Sequence, residues 1–190
     1  PQADFDTAQD TSSVSAARLK IVGAAIAYAQ GDAGAGRTLL DQAQQQIDAD
    51  PAVGNQVLPL YALVVARTRP GSEQANATLE RLRVAGLLPS SPDALEVDIE
   101  DRARLAFAVG RLYLAVGQKE TAHSWLTYAV GLRERIDAAS SPWLAEAQIA
   151  RAETLVAEGQ VGDARAIPAC AAAIHAAVPG LGDRYRQPLQ

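Results

Sequence analysis

The sequence predicts an all-α fold built from antiparallel helix pairs, and three observations carry that expectation. The apolar residues are mainly Ala, Leu and Val, against two Phe and two Trp, a mixture that favours helix because Ala and Leu lose little freedom on entering one. Apolar positions recur at helical spacing, as at Leu19, Val22, Ile26 and Ala29. Breaks holding Gly31, Gly71, Gly117 and Gly159 recur after 40, 46 and 42 residues. A helix-turn-helix unit repeated at that period is the pattern of an α-solenoid, in which stacked pairs cover the apolar face that each alone would leave wet.

Taken in order, residues 1–13 are polar and mildly acidic and read as a flexible tether, leaving 14–190 as one helical domain. Helices are expected over 14–30 and 37–48, with the joint G-D-A-G-A-G between them. The next, 57–69, stops at R-P-G, where Pro70 disfavours helical geometry at Arg69 and Gly71 permits the turn. A helix over 72–85 follows, then the longer joint G-L-L-P-S-S-P-D. Ser91 and Pro92 are placed there as cap and first-turn proline of a helix reaching about residue 116. Helices over 119–137, 143–158 and 161–177 complete four units, at about 14–51, 52–89, 92–139 and 142–178. The tail 179–190 has room for one short closing helix, giving eight or nine in all.

The bulk numbers exclude several classes. A length of 190 residues with 48% apolar content fits one globular domain. A net charge of -5, with no run of Lys or Arg, argues against nucleic acid as a partner of this chain. No apolar run reaches the roughly 18 residues needed to cross a bilayer, so membrane insertion is not expected. Cys170 is the only cysteine and the two histidines are far apart in sequence, so neither an intrachain disulfide nor a Cys/His metal site is expected, and no cofactor is implied. The absence of Met points to a mature chain or an excised piece of a longer protein.

The stretch G-R-L-Y-L-A-V-G-Q-K-E-T-A, residues 110–122, is where the repeat is clearest. Gly110, Tyr113, Gly117, Ala122, Leu126 and Ala129 match the small-x-x-aromatic-x-x-x-Gly spacing and its continuation in the tetratricopeptide repeat family, which the chain resembles over about residues 14–178. The first unit keeps Ala24, Gly31, Gly36, Leu40 and Ala43 but has Ala27 for the aromatic. The fourth keeps Ala152, Leu155, Gly159, Ala164 and Ala171 but has Pro168 for a large residue, while the second departs at Arg67 and Asn76. The resemblance implies a right-handed superhelix with small residues at close helix crossings. A narrower resemblance, over 132–153 and 173–189, is to the carboxyl-terminal repeat region of bacterial membrane-spanning serine/threonine kinases and of repeat-bearing transcription regulators. The first implies an extracytoplasmic sensor, the second a cytoplasmic effector-binding domain.

In that repeat family the first helix of each pair lines a concave, peptide-binding surface. Carried onto this chain, the surface holds Arg104, Phe107, Arg111 and Leu114 from the third unit. It takes Glu146, Ile149, Glu153 and Val156 from the fourth, and Tyr61 and Val65 from the second. An arginine beside an exposed aromatic is a hot-spot composition, although Arg111 and Glu153 can equally pair with each other across neighbouring helices. The implied function is non-catalytic binding of a protein or peptide, as a scaffold or sensor in a bacterial signalling protein.

Catalytic alternatives find less support. G-D-A-G-A-G-R-T, residues 31–38, lacks the lysine before Thr38 and follows a helix where a phosphate loop follows a strand. His123 and His175 have no evident orienting partner and nucleophile, so packing or surface roles suit them better. Cys170, in an Ala-rich helix, reads as a small apolar residue; an enzyme using Cys170 or His175 in a groove is the remaining reading. Trp143 reads as the anchor of a helix start, and E-V-D-I-E-D, residues 96–101, as a solvated first turn that could also bind a cation or basic peptide.

Overall fold

The computed structural model describes residues 2–68, 70–95 and 97–160, with side chains from residue 12 onward, and throughout them the chain is helical with no strand. Seven α-helices and one 3-10 turn follow in order: α1 Gln2–Ala29, α2 Ala33–Ala49, α3 Pro51–Arg67, α4 Ser72–Val84, the turn Pro92–Ala94, α5 Ile99–Ala115, α6 Lys119–Ile136 and α7 Pro142–Ala157. The expected helix over 161–177, the tail, Pro168, Cys170 and His175 lie outside the described residues.

Aspartate and serine caps set most of the helix starts. Asp32 accepts from the Ala35 amide at 2.9 Å to open α2, and Ser141 accepts from Trp143 at 3.2 Å to open α7. Asp50 closes α2 with its own amide and opens α3 with its carboxylate, which accepts from Ala52 at 2.9 Å; Pro51 supplies the first helical position. One residue thus serves as the whole joint between two helices. The ends of α1, α5 and α7 share one geometry. Gly31, Gly117 and Gly159 take φ of +83°, +80° and +82°. The following amides of Asp32, Gln118 and Gln160 then reach back five residues to Ala27, Tyr113 and Leu155.

The odd-numbered helices lie side by side, α1 against α3, α3 against α5 and, over a smaller contact, α5 against α7. Each helix also packs on the next one in the chain, from α1 on α2 through to α6 on α7. One cluster of buried apolar residues runs from Val14 on α1 to Ala150 on α7. Close crossings use the small residues expected of them: a Cβ on Gly110 would fall 2.6 Å from Leu126 Cγ, and one on Gly36 would fall 2.7 Å from the Tyr28 ring. The ring of Tyr28, one position beyond Ala27, thus occupies the space left by Gly36.

Several expectations are corrected. Residues 2–13 continue α1 and are helical where a tether was expected; the segment has neither Gly nor Pro. The joint at 31–36 is shorter than expected, because the Asp32 cap starts α2 at Ala33 and takes Gly34 and Gly36 into its first turn. The helix expected from residue 92 divides, since Ser91 makes no side-chain cap bond whereas Asp98 accepts from both Glu100 and Asp101 at 3.0 Å. Gly71 has a φ of -66° and needs no glycine freedom; the left-handed residue of that unit is Gly86, after α4. Finally, α3 begins six residues earlier than expected and carries Pro59 inside it, where the missing N–H leaves the carbonyl of residue 55 without its helical donor.

Candidate functional site

The stripe expected to line a groove on α5 and α7 is brought together, but much of it is spent on itself. Arg111 on α5 forms an ion pair with Glu153 on α7. Glu146 on α7 is held by Arg67 on α3, through Nε to Oε1 at 3.0 Å and Nη2 to Oε2 at 2.8 Å. The Arg67 guanidinium lies 4.7 Å from the Trp143 ring centroid and 5.9 Å from that of Phe107, so one side chain joins α3, α5 and α7 by charge and by ring contact. Leu114 and Ile149 are half-buried beside these pairs, and Val156 is exposed.

Two expected groove aromatics are instead core. Phe107 is 6% exposed and Tyr61 1%, with Val65 fully buried. The reason on α3 is register. Spacing the second unit from Gly71 selects Tyr61 and Val65, but α3 ends at Arg67 as α5 ends at Ala115. Aligning those ends sets Gln56, Pro59 and Leu63 opposite Arg104, Phe107 and Arg111. A two-residue shift turns a helix by about 200°, which exchanges the outer face for the buried one.

An open concavity lies next to that stripe. A cleft of about 340 Å³ is lined by the apolar residues Pro59, Leu60 and Leu63 of α3, Leu105 of α5, and Leu87 and Val97 of the α4–α5 connection. Arg18 of α1, Gln56, Asp101 and Arg104 form its polar rim. Arg104 is tied to Glu100 at 2.9 Å and Asp101 at 3.3 Å, both on its own helix. Arg18 is exposed and has no ion pair among the described residues. Leu63 and Arg104 also border the smaller pocket at Arg67, Phe107, Trp143 and Glu146, so cleft and pocket are contiguous. An apolar lining with a few convergent polar groups is how sites hold a side chain while fixing its orientation. The sequence signal for this lining is P-A-V-G-N-Q-V-L-P-L after Asp50: reading Asp-Pro as cap and first turn sets the register of α3 that the glycine spacing misses.

The remaining candidates have structural occupations. His123 Nδ1 lies 3.2 Å from Thr154 Oγ1 and 3.7 Å from Glu158, bridging α6 to α7. Trp143, 44% exposed, stacks on Arg67 in addition to starting α7. Of the acidic run, Asp98 caps α5, and Glu100 accepts from the buried Arg133 at 3.1 and 3.2 Å. No group of three or more His, Cys, Asp or Glu able to hold a metal occurs among the described residues, nor does a helix long and apolar enough to cross a membrane.

Comparison with protein-family models, curated proteins and solved structures finds no match to this chain.

Proposed function

We propose that the chain is a non-catalytic α-solenoid of tetratricopeptide-like helix pairs that binds an extended peptide or protein segment in the cleft between α1, α3 and α5. The observation that carries this reading is the cleft itself, lined by apolar Pro59, Leu60, Leu63 and Leu105 together with Arg18 and Arg104. Its chemistry selects a ligand with an aliphatic or aromatic anchor beside a carboxylate, which Arg18 would receive because Arg104 is already tied to Glu100 and Asp101. The side-by-side order of α1, α3, α5 and α7, and the shared Gly turns of α1, α5 and α7, support the repeat reading. Arg111 and Glu153 then fix α5 against α7, Glu146 fixes α7 against Arg67 of α3 with Ile149 half-buried beside them, and Arg104 keeps the ligand-facing role. The wider placement, as the extracytoplasmic sensor of a bacterial membrane serine/threonine kinase, rests on the sequence resemblance over 132–153 and 173–189.

Selection of random dodecapeptides on the purified chain tests the reading. Enriched peptides should pair an apolar residue with Asp or Glu. They should lose affinity at least tenfold against Arg18→Glu and Leu60→Arg, and keep it against the distant Val84→Arg. If no peptides are enriched, or if enriched ones bind both cleft variants as they bind the parent, the cleft is not the site.

A further inference from the structure

The helices on the two sides of the cleft offer it opposite charge. From α1 comes Arg18, exposed and without an ion pair among the described residues. From α5 come Asp101 and Arg104, and the groups behind them leave the acids in excess. Two guanidiniums, of Arg104 and Arg133, are shared among three carboxylates, of Glu100, Asp101 and Asp137. Glu100 holds the closer contact to each, at 2.9 Å from Arg104 and 3.1 Å from Arg133, and Asp137 also receives the Ser141 hydroxyl. Asp101 is left with a 3.3 Å contact to Arg104 as its one ion pair among the described residues, at 58% side-chain exposure. Asp98 accepts the Asp101 amide and so sets a further carboxylate beside it. Arg102, next in the chain, donates to the Val97 carbonyl at 2.9 Å and does not line the cleft.

We propose that Asp101 is a specificity residue of the cleft, receiving a basic group of the bound segment while Arg18 receives its carboxylate. The inference rests on the peptide-binding reading and adds to it a second charge and a direction. The ligand then carries acid, apolar anchor and base in that order from α1 to α5. Opposite charges on facing sides of a site set register and partner choice more than they raise affinity. A segment laid in reverse would bring its base to Arg18 and its acid to Asp101, and such like-charge contacts work against the wrong orientation. Because α3 packs on both α1 and α5, the outer two axes stand about 16–20 Å apart at ordinary helix spacing. Side chains reaching inward shorten that span, which puts the ligand's acid and base about three to five residues apart in an extended segment.

Parallel selections separate this inference from the reading beneath it. Random dodecapeptides are selected on the full chain and on Asp101→Asn, with helical circular dichroism checked for both, and affinities are measured by fluorescence anisotropy. Peptides from the parent chain should carry Lys or Arg at a constant distance from their Asp or Glu and always on the same side of it. Changing that base to Gln should weaken binding to the parent about threefold, the scale of an exposed ion pair, and leave binding to Asp101→Asn unchanged. Peptides selected on Asp101→Asn should keep the acid and the apolar anchor and lose the base. If selected peptides depend on Arg18 and Leu60 but show no fixed base, or lose as much on the change to Gln with Asp101→Asn as with the parent, the cleft stands and this inference falls. If no peptide is enriched, or enriched ones bind Arg18→Glu and Leu60→Arg as they bind the parent, both fall.

Discussion

Tyr61 sits where α3 meets α2, almost wholly enclosed, with its hydroxyl donating to Gln44 Oε1 at 3.0 Å. Burial favours the neutral phenol and pushes its pKa up to about 12, against a small opposing effect of the Arg81 charge. Because the folded value exceeds the unfolded one of 10, the stabilisation is complete below pH 10 and is lost as pH rises toward 12. Titration followed at 295 nm should therefore show one tyrosine ionising near pH 12 or only on unfolding, and Tyr61→Phe should remove that component. The same variant forfeits one hydrogen bond, for a loss of about 1 kcal/mol at pH 7 in urea denaturation. Residue identity alone did not reveal this role; the aromatic expected on an open surface is enclosed because the register of α3 turns it onto α2.

At the level of elements, caps decide where helices start, and α5 shows it best. Asp98 accepts from the Asp101 and Glu100 amides, and these bonds hold its carboxyl below the ordinary value of 3.8, the Asp101 amide contributing most. A lowered folded pKa means that the stabilisation is present above the unfolded value and disappears as pH falls through the folded one. Asp98→Ala should lower the melting temperature by a few degrees at pH 7, and Asp98→Asn, which still caps, by less. Both should flatten the fall in melting temperature between about pH 4 and pH 2; an unchanged acid limb would show that Asp98 is not its source. The helices over 72–85, 119–137 and 143–158 were legible in the sequence to within two residues, since Pro, Gly and Ser mark their ends. The start of α5 was not, because Ser91-Pro92 and Asp98 both carry cap chemistry and only packing selects between them.

Across the whole molecule, Arg67 is the side chain that ties α3, α5 and α7 together, through Glu146 and the rings of Trp143 and Phe107. Its pair with Glu146 is mostly shielded, with side-chain exposures of 20% and 15%. Removing one partner strands a charge, so Arg67→Met should cost about 1–3 kcal/mol in urea denaturation. The double variant Arg67→Met/Glu146→Met should recover part of that loss, the pairwise coupling being read from the cycle. Full additivity of the two single variants would mean that the contact holds nothing together. This hub was hidden in the sequence because its members lie 40 and 36 residues apart on three helices. At position 67 the repeat pattern only signalled a departure, an arginine in place of an aromatic.

The sequence by itself determined the helical class, because composition and periodicity are local properties that act within each segment. It also determined the close approach at Gly110 and the turns at Gly31, Gly117 and Gly159, where only a residue without Cβ fits the space or the positive φ. Which face of each helix looks outward was decided only by tertiary structure. A register difference of two residues on α3 turned its outer face inward, and the pairing of Arg111 with Glu153 and of Arg67 with Glu146 withdrew charges that the pattern alone left free. The open cleft at Arg18, Pro59, Leu60, Leu63 and Arg104 arises from the stacking of three helices distant in sequence, and no local signal encodes that juxtaposition.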